Sequence, residues 1–100
     1  MAENYPESLN ACRKSLEAIK KYLINLGFES NGKVDFKKLY GGNFGEIIDN
    51  IFKNLWGLTS IGSHIGRSKM TTRADMEFII TSIYMLLRCI LEAIKQDKLS

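Results

Sequence analysis

The residues best suited to chemistry lie in and just after one short segment, Gly57 to Arg67. The segment holds the chain's only histidine, His64, and three of its eight glycines. Histidine can act as an acid or a base near neutral pH, and glycine lets a backbone approach a partner closely. Arg67, Lys69 and Arg73 add a local basic patch. We therefore predict His64 and Arg67 as catalytic candidates, and Arg67, Lys69 and Arg73 as nucleic-acid contacts.

Other kinds of site lack the residues that they need. A zinc site requires three or four convergent ligands, whereas the chain has one histidine and no carboxylate cluster of ligand spacing. Ser63 and His64 are adjacent in sequence and point apart on a helix, which argues against a serine hydrolase. No GxxxxGK[ST] motif is present, so a phosphate-binding loop is not expected. We predict no metal and no cofactor.

Three long segments have the apolar periodicity of helices. They run from Leu9 to Leu26, from Ile47 to Ile61 and from Met76 to Ile94. In the middle segment the predicted core face combines six residues, Ile47, Ile48, Ile51, Phe52, Leu55 and Trp56. The last segment contains Arg88 and Glu92 and is shorter than the roughly 20 apolar residues of a membrane span. It is therefore predicted to be a core helix.

Two capping boxes mark helix starts. Asn43 and Glu46 have this spacing before the middle segment, and Thr72 and Asp75 have it before the last. The connector from 29 to 42 is predicted to form one or two helical turns, and a strand pair there has no obvious partner.

The fold that follows is all-α. We predict a single domain over residues 1–100, an antiparallel bundle of three long helices and one short helix. A homodimer is expected, because a chain this small gains stability by burying more apolar surface. The early first helix is also compatible with a C-terminal piece of a longer protein.

The net charge and the two cysteines bear on where in the cell the protein is located. Fourteen basic and eleven acidic residues give a net charge of +3, which alone does not indicate nucleic acid. No secretory leader pattern is recognisable at the start. Cys12 and Cys89 lack CxxC spacing and are expected to be buried free thiols. We predict a cytoplasmic protein without membrane contact.

Two segments carry a family resemblance. The stretch Tyr5 to Ile19, in which Arg13 precedes a Leu-Glu pair, resembles the opening helix of small helical domains in bacterial defence and restriction proteins. The stretch Leu58 to Gly66, followed by a long apolar helix, is similar to the glycine and histidine turn of the abortive-infection C-terminal domain and its HEPN relatives. The resemblance implies a helical bundle that dimerises.

Many HEPN proteins are metal-independent endoribonucleases, in which an arginine and a later histidine line a cleft between two protomers. Only the histidine of that motif maps onto this chain, at His64. Residues Leu58 to Ser60 contain no basic residue where the arginine is expected, and Arg67 follows the histidine. The resemblance with this departure implies a non-catalytic module of a bacterial phage-defence system, acting in oligomerisation or in sensing nucleic acid or a partner domain.

Two alternatives remain open. In the first, the chain is a ribonuclease with His64 as acid or base, and Arg67 or Arg13 replaces the absent arginine; Arg88 is a further arginine that could reach the site. In the second, the chain is a purely structural helical dimer with His64 buried.

Overall fold

A computed structural model of the chain describes residues 5–60 and 72–99. Its elements in chain order are α1 (Tyr5–Asn25), β1 (Glu29–Ser30), β2 (Lys33–Val34), α2 (Phe36–Tyr40), α3 (Gly42–Leu58) and α4 (Arg73–Leu99). The described part of the chain is thus mostly helical, with three long helices and one short one. The prediction of an all-α fold is confirmed at this level.

The core is built around α4, which contacts α1, α2 and α3. The long helices α1, α3 and α4 contribute apolar residues at helical spacing, because burying one apolar stripe per helix removes most of its hydrophobic surface from water, and α2 contributes Phe36. The buried members are Leu9, Leu16, Ile19, Leu23, Phe36, Ile48, Phe52, Leu55, Met76, Ile79, Ile83, Leu86, Ile90 and Ile94. Most of the predicted stripe of the last helix therefore forms one wall of this core, but Ile80 and Leu91, which were predicted to belong to it, are 39% and 50% exposed.

The start of α4 has the predicted capping box. The hydroxyl of Thr72 accepts a hydrogen bond from the Asp75 amide at 3.1 Å, and the Asp75 carboxylate accepts one from the Thr72 amide at 3.0 Å. The bond from the Thr72 amide first, and the Thr72 side chain second, hold the pKa of the Asp75 carboxyl below its usual value. The carboxylate stays ionised beside the positive end of the helix dipole.

The start of α3 differs from the prediction. The helix begins at Gly42 after the capping residue Gly41, and no side chain caps its first turn. Gly41 and Gly42 have φ values of +81° and +36°, which glycine adopts without the steric cost that other residues meet. The chain turns sharply there, so Asn43 already lies inside the helix and its predicted capping box with Glu46 is wrong.

The apolar face of α3 is narrower than predicted. Ile48, Phe52 and Leu55 are buried, whereas Ile47 and Ile51 are 54% and 40% exposed. The two exposed isoleucines lie on one flank of the helix, and the described elements cover the other flank. The predicted core face therefore contains a second apolar stripe, which residues 5–60 and 72–99 leave exposed.

The connector folds into a hairpin and a short helix. β1 and β2 pair with each other in antiparallel register, Glu29 with Val34 and Ser30 with Lys33. Asn31 and Gly32 have φ values of +53° and +78°, as a tight two-residue hairpin turn requires. Among the described residues, β1 and β2 form a sheet of these two strands alone.

Asp35 begins α2 as its capping residue and accepts a hydrogen bond from the Lys37 amide at 3.0 Å. The prediction of helical turns in the connector is therefore confirmed.

The short helix α2 lies directly against the backbone of α3 at Gly45. A Cβ atom at Gly45 would stand 2.6 Å from the Phe36 carbonyl oxygen and 2.7 Å from the Lys37 Cα. Both neighbours are backbone atoms, so neither can move aside without shifting α2. Glycine is thus required at this position by close packing.

The replacement Gly45→Ala tests this contact. We expect it to lower the free energy of unfolding by about 1–3 kcal/mol, because the added methyl group overpacks the contact between α2 and α3. Gly57→Ala is the matched control on the same helix, since a Cβ there meets nothing within 4 Å. It should leave stability unchanged or raise it by up to about 1 kcal/mol. Urea denaturation of both variants measures the difference, and equal effects would contradict the packing described.

Candidate functional site

The residues predicted from the glycine-rich segment are only partly placed by the structure. His64, Arg67 and Lys69 lie outside the described residues. Arg73 lies in the first turn of α4, where its Nε donates to the Glu77 carboxylate at 3.3 Å. Both side chains of this pair are largely exposed, so the pair contributes little to stability. Among the four predicted residues, the structure therefore describes one, and it is held within an exposed ion pair.

The two other arginines considered as partners for the histidine are both placed. Arg13 lies on α1 with its Cζ atom 4.8 Å from the centre of the Trp56 ring, and its guanidinium donates to the Ser60 hydroxyl at 3.3 Å. Arg88 is exposed on α4. Arg13 thus connects α1 to the end of α3. The space between these two helices is a different candidate site.

A groove runs between α1 and α3 and reaches the hairpin and α2. Its wider part has a volume of about 390 Å³ and is lined by Lys20, Lys33, Val34, Asp35, Phe36, Lys37, Asp49, Phe52 and Lys53. A narrower depression of about 240 Å³ is lined by Lys20, Phe52, Lys53 and Trp56. The two share three lining residues, so they form one continuous groove, called here the α1–α3 groove.

Helical spacing explains how the groove obtains its lining. Arg13 and Lys20 are seven residues apart and occupy one flank of α1. Phe52 and Trp56 are four residues apart and occupy the facing flank of α3, with Lys53 beside them. Each helix therefore presents cations or aromatic rings to the same space.

Three aromatic rings lie at the base of the groove, where Phe36 and Phe52 are buried and Trp56 is partly buried. The ring centres of Phe36 and Phe52 are 5.4 Å apart, and those of Phe52 and Trp56 are 6.4 Å apart with the planes inclined by only 22°. Arg13 and Lys20 both lie over the Trp56 ring, with Lys20 Nζ 5.7 Å from its centre. Cations over an indole face are attracted by its electron density, which holds the partly buried ring in place.

The charges around the groove are not balanced. Five cations line it or lie over its tryptophan, Arg13, Lys20, Lys33, Lys37 and Lys53. Its two carboxylates, Asp35 and Asp49, are both engaged locally. A hydrogen bond from the Ser30 hydroxyl is the main cause that holds the pKa of Asp35 below its usual value. Asp49 pairs with Lys53 at 2.8 Å. The groove therefore has an excess of positive charge and favours anions.

A pair of thiol and phenol groups lies elsewhere and differs from the prediction. Both cysteines are free, but Cys12 is only partly buried and Cys89 is exposed. The Tyr40 hydroxyl lies 3.3 Å from the Cys89 sulfur. Burial first, and this contact second, raise the pKa of Tyr40, so the phenol is neutral at physiological pH.

Within residues 5–60 and 72–99, no group of three His, Cys, Asp or Glu side chains could hold a metal ion. None of the helices in these two ranges is long and apolar enough to cross a membrane.

The α1–α3 groove was not predicted from the sequence. Its cations come from α1, β2, α2 and α3, and they are too far apart along the chain to form a basic run. Two sequence features could have indicated the groove. They are the spacing of Arg13 and Lys20 on one helix and the position of Lys53 close to the chain's single tryptophan. A search for local charge clusters selects Arg67 to Arg73 instead.

No protein-family model, curated protein or solved structure matches this chain.

Proposed function

We propose that this chain is a non-catalytic helical module that binds nucleic acid in the α1–α3 groove. The observation that supports this function best is the groove itself, where lysines outnumber carboxylates and lie beside the partly buried Trp56 ring. Nucleic acid carries a regular array of phosphates, and lysines that neutralise them release condensed counterions, which drives binding. Aromatic rings among cations are typical of surfaces that contact both bases and phosphates.

The distribution of the cations favours a polymer over a small anion. Lys33 and Lys37 come from the hairpin and α2, whereas Lys20 and Lys53 come from the two walls near Trp56. These residues follow the groove from one end to the other. A chain of phosphates can contact all of them at once, while a single phosphate can contact only some.

Replacing three groove lysines tests the proposal. We expect the triple variant Lys33→Gln, Lys37→Gln, Lys53→Gln to bind a short RNA about tenfold more weakly at low salt. Its plot of log affinity against log salt should be shallower by about 2, since each lost phosphate contact removes about 0.7 from a single-strand slope. Fluorescence anisotropy over a salt series measures both quantities.

The control variant has the same change in charge. Lys14→Gln, Lys21→Gln, Lys95→Gln alters exposed lysines that do not line the groove. It should keep the salt slope within about 0.5 of the wild-type value if the groove is the binding site. Equal losses in the two variants would mean that binding depends only on net charge.

The family assignment and its biological setting are part of the same proposal. The two resembling segments and a helical core centred on α4 are compatible with a HEPN-like or abortive-infection-like antiparallel bundle. We propose that the module serves a bacterial phage-defence system in the cytoplasm, where it senses nucleic acid or a partner domain. The absence of an arginine in Leu58 to Ser60 is the reason for proposing a non-catalytic role.

The ribonuclease alternative predicts that the protein cleaves RNA, whereas the non-catalytic proposal predicts that RNA stays intact. We expect labelled RNA to remain intact when it is incubated with the protein and a metal chelator, because the motif's arginine is missing. Gel analysis over several hours measures this outcome. Cleavage that disappears in His64→Ala would establish the ribonuclease instead. If cleavage also disappears in the separate variant Arg13→Gln, Arg13 would be identified as the substitute arginine.

A homodimer is the second function that a specific observation favours. Phe44, Ile47 and Ile51 form an exposed apolar stripe on α3, and Phe44 is 55% exposed. Their neighbours Asn50 and Asn54 are uncharged. Two copies of a positively charged chain can pair along such a stripe without bringing cations together.

Light scattering after size-exclusion chromatography tests this pairing. We expect a mass of twice 11.4 kDa for the wild-type chain and the mass of a monomer for Ile47→Glu. Gln96→Glu, an exposed change near the end of α4, is the control and should leave the dimer intact. A wild-type monomer at micromolar concentration would remove the dimer from the proposal.

A further inference from the structure

The two ends of the α1–α3 groove have different chemistry. At the end near the hairpin, Lys33 and Lys37 lie beside buried Phe36. At the other end, the narrow depression is bordered by Lys20 and Lys53 and by the partly buried ring of Trp56. One end therefore offers charge, and the other offers a flat aromatic surface between two cations.

We propose that the groove takes a single nucleic-acid strand, with one unpaired base stacked against Trp56 and the adjoining phosphates on the lysines. This inference rests on the proposed function and specifies its ligand. Stacking on an aromatic side chain is available to every base, so it selects unpaired strands with little regard to sequence. The ligand class is single-stranded RNA or DNA.

The tryptophan is held in a fixed position by its neighbours, and two of them are cations that lie over its ring. Arg13 lies over the ring and is itself anchored by the Ser60 hydroxyl, while Lys20 lies over the ring from about two turns further along the same helix face. Phe52 supports the indole with a nearly parallel ring. A ring already fixed in position loses little conformational freedom when a base stacks on it. The base takes the place of a cation on the indole, and the displaced cation stays close enough to contact the adjoining phosphate.

A duplex cannot use the same contact. Its bases are paired and stacked on each other, and a base must be flipped out before it can reach an aromatic ring between two helices. The depression at Trp56 has a volume of only about 240 Å³, which suits one planar group rather than the side of a double helix. Discrimination between single strands and duplexes therefore depends on Trp56, whereas general attraction depends on the lysines.

The chain's single tryptophan provides a direct readout, because all indole fluorescence comes from Trp56. The probes are a twelve-residue oligouridine, an oligothymidine and an abasic oligomer of the same length, a duplex of that length, and inorganic polyphosphate. We expect the two base-bearing single strands to quench the fluorescence on binding. The abasic oligomer and polyphosphate should bind with little quenching, and the abasic oligomer about tenfold more weakly than oligothymidine. The two base-bearing probes also show whether RNA or DNA is preferred.

Two variants separate stacking from folding. Trp56→Phe keeps an aromatic surface and should retain most of the preference for base-bearing strands, as measured by anisotropy. Trp56→Leu should lose that preference and still bind polyphosphate. Tyr84→Leu, at an exposed aromatic on α4 outside the groove, should behave as the wild type. The wild-type quenching requires no variant, so a Trp56 substitution that fails to fold leaves the test complete.

The outcomes distinguish this inference from the proposed function. If none of the polyanions binds, both are wrong. If polyphosphate and the oligomers bind alike and the fluorescence stays constant, the stacking inference is wrong while the proposed function stands. If the duplex quenches as strongly as the single strands, selection of a single strand is wrong.

Discussion

The arrangement of the helices depends on one contact, in which the backbone of α2 packs against the backbone of α3. At Gly45 the helix α3 has no side chain, and the Phe36 carbonyl of α2 occupies the space that a Cβ would need. Because α2 lies so close, Phe36 is buried against Phe52, and Lys37 and Lys33 are carried to the edge of α3. The hairpin and the short helix are thereby converted from a connector into one end of the α1–α3 groove.

The remainder of the groove follows from packing on α4. Since α4 contacts α1, α2 and α3, it fixes the flanks that α1 and α3 turn toward each other. Arg13 and Lys20 then face Trp56, and cation–ring attraction and a hydrogen bond to Ser60 join the two helices at this edge. The residues of the proposed binding site therefore also hold α1 and α3 together.

The sequence predicted those features that depend on local chemistry. The periodic apolar residues of α4 and the hydrogen bonds between Thr72 and Asp75 involve neighbours along one helix, and both are present. The start of α3 was missed because the geometry of Gly41 and Gly42 begins the helix before Asn43.

The exposure of Ile47 and Ile51 could not be read from the sequence, since periodicity identifies an apolar face without showing which neighbours cover it. The groove was missed for the same reason, because four elements must meet before its cations come together. The histidine motif that the sequence emphasised stays a prediction, as His64 lies outside the described residues.

The central claim is that nucleic acid binds between α1 and α3, and a ligand titration followed by two-dimensional ¹H–¹⁵N NMR tests it most directly. Addition of oligouridine should shift the indole N–H signal of Trp56 and the amides around Lys20, Lys37 and Lys53, while signals of exposed residues on α4 such as Tyr84 stay in place. An unchanged Trp56 signal at saturation, with shifts concentrated around Arg73 or along Phe44 to Ile51, would contradict the account.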